Sequence, residues 1–159
     1  MAKIKSSSSQ PTVNQYLGDL EAKLEKIFVG KAPALSDNVK EIIVKISPYL
    51  AVVSMVLLLP LLLGLFGIST FLMPFAALGG IHMSLTYLVY LVFSIAMIVL
   101  ELMAIPGLFK RQESAWRLIF YSTLLSLVDQ IFSFNLGGLI IGGAISLYFL
   151  FQVKSKYTK

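Results

Sequence analysis

Long uncharged stretches alternate along this chain with short polar segments that carry the cationic side chains. Residues 46–100 include no Lys, Arg, Asp or Glu, and their one imidazole belongs to His82. Residues 133–153 include no charged side chain either. An α-helix needs about 20 predominantly apolar residues to cross the hydrocarbon core of a bilayer. Because both stretches reach that length, the pattern predicts an all-α integral membrane protein.

Four segments of the chain have a length and composition suited to crossing a membrane. We predict spans at residues 47–66, 83–105, 115–133 and 136–153. Residues 67–81 are uncharged but contain Gly and Pro, so they are predicted to lie on the membrane surface or to dip shallowly into it. Pro106 and Gly107 are expected to end the second span. The predicted architecture is an antiparallel bundle of four transmembrane helices within residues 46–153.

The N-terminal part of the chain is polar enough to lie outside the bilayer core. Residues 1–11 are rich in Ser and lack an apolar period, so they are predicted to be a disordered tail. In residues 12–45 apolar side chains recur at spacings of three and four, which predicts amphipathic helices in the cytoplasm or at the membrane interface. The apolar stripe of the first helix, Val13–Phe28, is open to two interpretations. It either contacts lipid and the protein's own helices, or serves docking or oligomerisation.

The cationic side chains indicate how the spans are oriented. Seven Lys precede the first predicted span, Lys110 and Arg111 lie between the second and third, and a basic tail at residues 154–159 follows the fourth. The two remaining connections carry none. Because cytoplasmic loops hold an excess of Lys and Arg, both termini are predicted to be cytoplasmic. Trp116 and Tyr121 lie where an interfacial aromatic belt is expected.

The composition supports a membrane protein and excludes several kinds of site. Of the 159 residues, 57% are hydrophobic and 13% charged, and the mean hydropathy is +0.85. Ordinary soluble domains contain about 25% charged residues. The net charge of +5 follows membrane topology, so nucleic acid is not an expected partner. With no Cys, one His and no phosphate-binding loop or nucleophile elbow, neither a metal, a cofactor nor an enzyme activity is expected.

Four ionisable side chains are predicted to lie within the spans or at their edges: Glu101, Arg117, His82 and Asp129. Counting from the span ends places Glu101 beside Arg117 near the cytoplasmic boundary, and His82 beside Asp129 near the opposite one. A charge at the centre of a bilayer costs at least about 2.5–3.5 kcal/mol, and pairing lowers that cost. The pairs either fix the register of the second and third spans or belong to a proton or cation path. Alternatively, the four groups reach into interfacial water.

Two sets of smaller side chains also follow helical spacing. A polar stripe along the second and third spans would supply the path between the two charge pairs, and it consists of Ser94, Ser122, Ser126 and Gln130. A small-residue face on the fourth span is formed by Gly138, Gly142 and Ser146. Small faces let another helix approach closely. Packing inside the monomer and homodimerisation both fit that face.

Three stretches of the chain resemble the matching parts of a family of small, uncharacterised polytopic membrane proteins of bacteria. They are KAPALSDNVKEIIVKISPYL at 31–50, MAIPGLFKRQESAWRLIFYS at 103–122 and LIIGGAISLYFLFQVKSKY at 139–157. The resemblance extends from Lys31 to the C-terminus. It implies location in a bacterial cytoplasmic membrane. It implies no activity, ligand or catalytic residue.

These patterns favour a protein that works by binding other proteins in the lipid bilayer. We expect a non-enzymatic scaffold or accessory subunit that acts through helix–helix interactions, in a homo-oligomer or with another membrane protein. The alternative is a subunit of a small oligomeric transporter or channel, since four helices can scarcely surround a wide aqueous path. A cavity lined by the polar stripes would favour transport, and a close-packed interior with an exposed helix stripe would favour interaction.

Overall fold

The computed structural model describes residues 12–78 and 81–158, which are helical with short connections and include no strand. The helices are α1 (Val13–Phe28), α2 (Asp37–Leu78), α3 (Ile81–Phe109), α4 (Glu113–Phe132) and α5 (Gly143–Val153). A π-helical segment, Gly138–Gly142, precedes α5, and a 3₁₀ turn, Lys154–Lys156, follows it. This confirms the all-α class and the bounds predicted for the first amphipathic helix. The predicted disordered tail lies outside the described residues.

Two stretches of the described chain are long and apolar enough to cross a membrane. They are Val89–Phe109 in α3 and Gly138–Lys156, which covers the π-helical segment, α5 and the 3₁₀ turn. Both stretches overlap predicted spans. The structure therefore supplies two candidate membrane-spanning helices.

The longest helix, α2, departs from the prediction for its second half. It runs unbroken for 42 residues and contains Pro48, Pro60 and Pro74. It thus includes most of residues 67–81, which were predicted to lie as a surface segment. An uncharged segment satisfies its backbone groups best within a helix, and this outweighs the single hydrogen bond lost at each Pro. At 1.5 Å per residue, α2 is roughly 63 Å long.

Helices α3 and α4 form the antiparallel hairpin that the sequence predicts, but α3 does not end at Pro106. It continues to Phe109, because a Pro removes only one backbone donor. The turn that follows places Arg111 at φ 55°, and the Gln112 N–H donates to the Gly107 carbonyl over 2.9 Å. Gly107 is buried, and a Cβ at this position would lie 2.7 Å from the Ala115 Cβ. A glycine is therefore needed for α3 and α4 to come together here.

The best-packed part of the protein is the end of the bundle that carries the α3–α4 loop, α1, the start of α2 and residues 151–157; we call it the basic end. Trp116 stacks on Phe120 with ring centroids 5.5 Å apart, and Phe151 contacts both rings edge-on at 5.4 and 5.6 Å. The Trp116 Nε1–H donates to the Leu150 carbonyl over 2.8 Å. Phe28 of α1 stacks on Phe151 at 6.1 Å. Trp116 is only 1% exposed, so it belongs to the core and not to an aromatic belt.

The close contact at Gly107 yields a stability prediction. Gly107→Val should destabilise the protein in detergent by about 1–3 kcal/mol, because the added methyl groups overpack the α3–α4 contact. Thermal unfolding followed by circular dichroism measures the change. Gly64→Val in α2 is the matched control, since a Cβ there meets nothing within 4 Å. Equal loss of stability in the two variants would contradict the close contact.

Candidate functional site

A groove of about 200 Å³ lies between α3, α4 and the start of α5, and it opens at the surface of the molecule. We call it the polar groove. Its polar side chains come from all three helices and are Glu101, Ser122, Thr123, Ser126, Gln130 and Ser146. The predicted polar stripe and the predicted small face thus meet at one place.

The register of the hairpin brings these side chains together. Ser122, Ser126 and Gln130 recur every four residues and therefore share one face of α4. The Ser122 hydroxyl donates to the Glu101 carboxylate over 3.3 Å across the α3–α4 contact. The Gln130 amide donates to the Ser126 hydroxyl, also over 3.3 Å. The other amide atom, Gln130 Oε1, is buried and accepts no hydrogen bond from the described residues.

Glu101 lies well inside a candidate membrane span. It belongs to Val89–Phe109, eight residues before the end of α3, which is roughly 12 Å along the helix axis. Its side chain is exposed on the isolated chain. Among the Lys and Arg side chains that the structure describes, none lies within ion-pair distance of it. The polar groove therefore contains one carboxylate without a cationic partner from this part of the chain.

Arg117, the predicted partner of Glu101, forms a different ion pair. Its Nη2 lies 2.9 Å from the Glu113 carboxylate, one turn earlier on α4. The predicted pair requires α3 to end at Pro106, whereas the helix continues to Phe109 and carries Glu101 further from the loop. Ser122 now lies opposite Glu101, so Arg117 is about five residues away in the hairpin register. The predicted pair of Glu101 with Arg117 is corrected accordingly.

The other predicted polar residues lie away from the polar groove. Asp129 is half-buried on α4, and its carbonyl accepts a hydrogen bond from the Ser133 N–H over 2.9 Å. The side chain of His82 lies outside the described part of α3, so its pairing with Asp129 stays a prediction. Ser94 is buried in α3 and is not among the residues that line the groove.

The predicted small face of the fourth span is divided between two environments. A Cβ on Gly138 would lie 2.5 Å from Gln130 Oε1, whereas one on Gly142 would meet nothing within 4 Å. Gly142 and the exposed Ser146 line the open groove. The close approach of α5 to α4 instead occurs at Gly143, where a Cβ would clash with the Leu127 side chain. The adjacent pair Gly142 and Gly143 is a sequence signal for this contact. Helical spacing selects Gly142, whereas the contact forms at Gly143.

The residues before α5 form a π-helical turn. This segment, Gly138–Gly142, has the wider spacing of backbone hydrogen bonds that characterises π-helices, which are frequent at functional sites. Its last residue, Gly142, lines the polar groove. The π-helical segment therefore ends at a residue that faces the open groove.

A second cavity, of about 350 Å³, adjoins the polar groove on the side of the basic end. The two cavities share Ile119, Thr123 and Ser146 as lining residues. The second one is mostly apolar, and at its rim the hydroxyls of Ser47 and Tyr157 lie 3.1 Å apart in a hydrogen bond. Burial raises the pKa of Tyr157 above its ordinary value. Together the cavities form a lengthwise gap along α4 and α5, bounded also by α2 at the apolar cavity and by α3 at the polar groove.

A cluster of charges at the basic end holds α1 in place. Lys154 Nζ lies 2.8 Å from the Glu21 carboxylate and 2.6 Å from that of Glu25, and it stands 5.1 Å from the centre of the Trp116 ring. The Gln152 amide donates to the Phe28 carbonyl over 2.8 Å. From the sequence, Lys154 is predicted only to belong to the basic tail. These contacts make residues 154–157 part of the folded protein.

A second ion pair joins the α3–α4 loop to α2. Arg111 donates to the Glu41 carboxylate, and this hydrogen bond holds the pKa of Glu41 below its usual value. Ion pairs thus connect both α1 and the α3–α4 loop to other elements of the basic end. The apolar stripe of α1 divides as well, since Leu24 packs on the core whereas Val13, Leu20 and Ile27 are exposed. One edge of α1 therefore remains available at the surface.

Comparisons with protein-family models, with curated proteins and with solved structures find no match to this chain. The resemblance to a family of bacterial membrane proteins therefore stays a prediction from the sequence. The polar groove and the basic end supply the observations on which a function can be proposed.

The Lys154 cluster yields a prediction for the position of α1. Lys154→Met should release α1, because two carboxylates lose their shared cation, and trypsin should then cut at Lys23 and Lys26 several times faster. Lys156→Met is the matched control, since Lys156 has a single partner, Asp37, at 3.5 Å. Timed proteolysis in detergent followed by mass spectrometry measures the cleavage. Equal rates in the two variants would show that Lys154 does not hold α1.

Proposed function

We propose that this chain is a multi-pass protein of a bacterial cytoplasmic membrane, with four spans in α2 to α5 and both termini in the cytoplasm. Two stretches, Val89–Phe109 and Gly138–Lys156, support it by their length and apolar character. The other two spans are assigned to the uncharged part of α2 and to residues 115–133, in which the eleven positions between Arg117 and Asp129 carry no charge. The cations at the basic end support the orientation, because positive loops remain in the cytoplasm.

Within that membrane the chain acts as a non-enzymatic scaffold or accessory subunit that binds another helix in the polar groove. One observation carries this proposal: Glu101 is exposed in an open groove that lies inside a candidate span. Lipid tails offer a carboxylate no hydrogen bond, and ionisable groups in spans generally face other helices or water. Gly142, with open space at its Cβ position, leaves room for the backbone of a second helix. A helix from another molecule would therefore cover the groove.

A second candidate function is a subunit of an oligomeric transporter or channel. The observation that favours it is the gap along α4, in which the polar groove and the apolar cavity share Thr123 and Ser146. The gap extends from Trp116 to Gln130, which is roughly 21 Å along the helix. A carboxylate with hydroxyls beside it can bind a proton or a small cation. In this function Glu101 would exchange its proton or cation during transport.

The orientation is tested with single cysteines, because the natural chain has none. In intact cells Ser114→Cys and Ser155→Cys should resist a membrane-impermeant thiol reagent, whereas Asn135→Cys should react. All three positions are exposed, so the reagent reports the side of the membrane and not burial. Permeabilised cells, in which all three should react, are the control. Labelling of Ser114→Cys without labelling of Asn135→Cys in intact cells would refute the proposed orientation.

Helix binding in the groove is tested by photo-cross-linking in native membranes. A photoreactive amino acid at Ser146 should give a discrete protein adduct, and Gly142→Leu should abolish it because the leucine side chain fills the groove. The same photoreactive residue at Val92, which is 64% exposed on α3, is the control and should react mainly with lipid.

Two results would contradict the scaffold proposal. One is lipid adducts alone at both positions. The other is a proton or cation flux in proteoliposomes of the pure protein that Glu101→Gln abolishes, which would establish the transport function in its place. Both interpretations require that Gly142→Leu keep the thermal stability of the unmodified protein. We expect that result, because a Cβ at this position meets nothing within 4 Å.

A further inference from the structure

Glu101 has an unusual position among the charged groups of this chain. It is the one acidic residue within the two candidate spans, Val89–Phe109 and Gly138–Lys156. Two cations of the neighbouring helices already have carboxylate partners. Arg117 bonds to Glu113, and Lys154 bonds to Glu21 and Glu25. The described part of the chain therefore provides Glu101 with a hydroxyl donor, Ser122, but with no cation.

The Glu101 carboxylate also has hydrogen-bond acceptor capacity that the described residues do not fill. The Glu101 carboxylate offers several lone pairs, of which the Ser122 hydroxyl takes one. Gln130 Oε1 is buried and accepts no bond from the described residues. The hydroxyl of Ser126 already accepts from the Gln130 amide. Because Gln130 Oε1 is enclosed, a ligand in the groove meets the Glu101 carboxylate instead. Such a ligand must bring donors, and a positively charged donor would also balance the carboxylate.

We propose that the polar groove binds a transmembrane helix of a different membrane protein that carries one Lys or Arg at the depth of Glu101. This inference rests on the proposed function, and it names the partner's chemistry. A Lys ammonium supplies three donors and an Arg guanidinium five, with no acceptor. In lipid such a residue has the same need for a counter-charge as Glu101, so each helix stabilises the other.

A second copy of the chain fits the groove less well than a different protein. A copy brings the same side chains, and its candidate span around Glu101, Val89–Phe109, contains no Lys or Arg. Two copies facing one another would place two Glu101 carboxylates together, and like charges repel. The small residues of the groove would allow the close approach, but its charge selects a basic partner. Charge complementarity therefore points to a hetero-oligomer.

The proposal is tested with a synthetic helix of about 20 Leu and Ala residues, the length that spans a bilayer. One version carries a single Lys about 12 Å from one end, the distance of Glu101 from the end of α3. The other has Leu in its place. Each is labelled with an acceptor dye, and the protein with a donor dye at Ser155→Cys. Energy transfer in vesicles at several lipid ratios measures their association. The Lys helix should associate with the protein, and the Leu helix should not do so above random proximity.

Two variants link that association to the groove. Glu101→Gln keeps the shape of the side chain and should weaken association with the Lys helix by about tenfold, because it removes the counter-charge. Gly142→Leu should block it altogether by filling the groove. Gly67→Leu, at an open position on α2, is the matched control and should bind as the unmodified protein does. Thermal stability, measured for each variant, shows that all remain folded.

The outcomes separate this inference from the proposed function. Equal binding of the Lys and Leu helices, lost in Gly142→Leu, would overturn the basic partner but leave helix binding in place. Energy transfer between two copies of the protein that depends on Glu101 would replace the different partner with a second copy. No association of any helix, with a proton flux that depends on Glu101, would overturn both. Binding of the Lys helix that survives Glu101→Gln unchanged would overturn the role of the carboxylate.

Discussion

The contact of Trp116 and Phe120 with Phe151 holds α4 and α5 together at the basic end, and much of the structure depends on it. Three aromatic rings keep the two helices apart by the width of large side chains at this point. Further along, Gly143 lets α5 approach Leu127 directly. Between these contacts the small side chains of Ser122, Thr123, Ser126 and Ser146 leave space open. The gap between α4 and α5 is therefore a result of how large and small residues are distributed along one pair of helices.

The same arrangement explains why polar groups gather where they do. In a membrane, helices are not driven together by the hydrophobic effect, since lipid is as apolar as a Leu side chain. Hydrogen bonds and close packing must hold them. The Trp116 indole uses its donor on the Leu150 carbonyl, and Ser122 uses its hydroxyl on Glu101. The first bond is buried in the core, whereas the second lies at an open groove. Only the second leaves polar atoms available to another molecule.

The sequence was sufficient for features that depend on local patterns, and insufficient for those that depend on distant partners. The bounds of α1 and the pairing of α3 with α4 follow from apolar spacing and from a short loop. The prediction that the helix ends at Pro106 is wrong, because a proline can lie inside a helix. The extra turn changes which residue lies opposite Glu101. The grouping of Ser122, Ser126 and Gln130 on one face was predictable from their spacing. Their position in an open groove was not, since it depends on how closely α5 packs.

The role of Lys154 shows the limit most directly. Its partner Glu25 is 129 positions earlier in the chain, and no local pattern connects the two. From the sequence, this cation predicts only the side of the membrane on which the tail lies, and it predicts nothing about the residues that contact it. Likewise, nothing in the sequence around Gln152 indicates that its amide binds the backbone at Phe28.

That long-range contact has a consequence for how the protein is made. Ribosomes release residues in order, so α1 leaves the exit tunnel long before Lys154 and Gln152 are synthesised. Until the last helix has been synthesised, the carboxylates of Glu21 and Glu25 lack the Lys154 ammonium that binds them in the folded protein, and α1 remains undocked. The basic end can therefore close only when translation is nearly complete. Docking of the first helix thus marks a chain whose final helix has been synthesised and packed on the bundle.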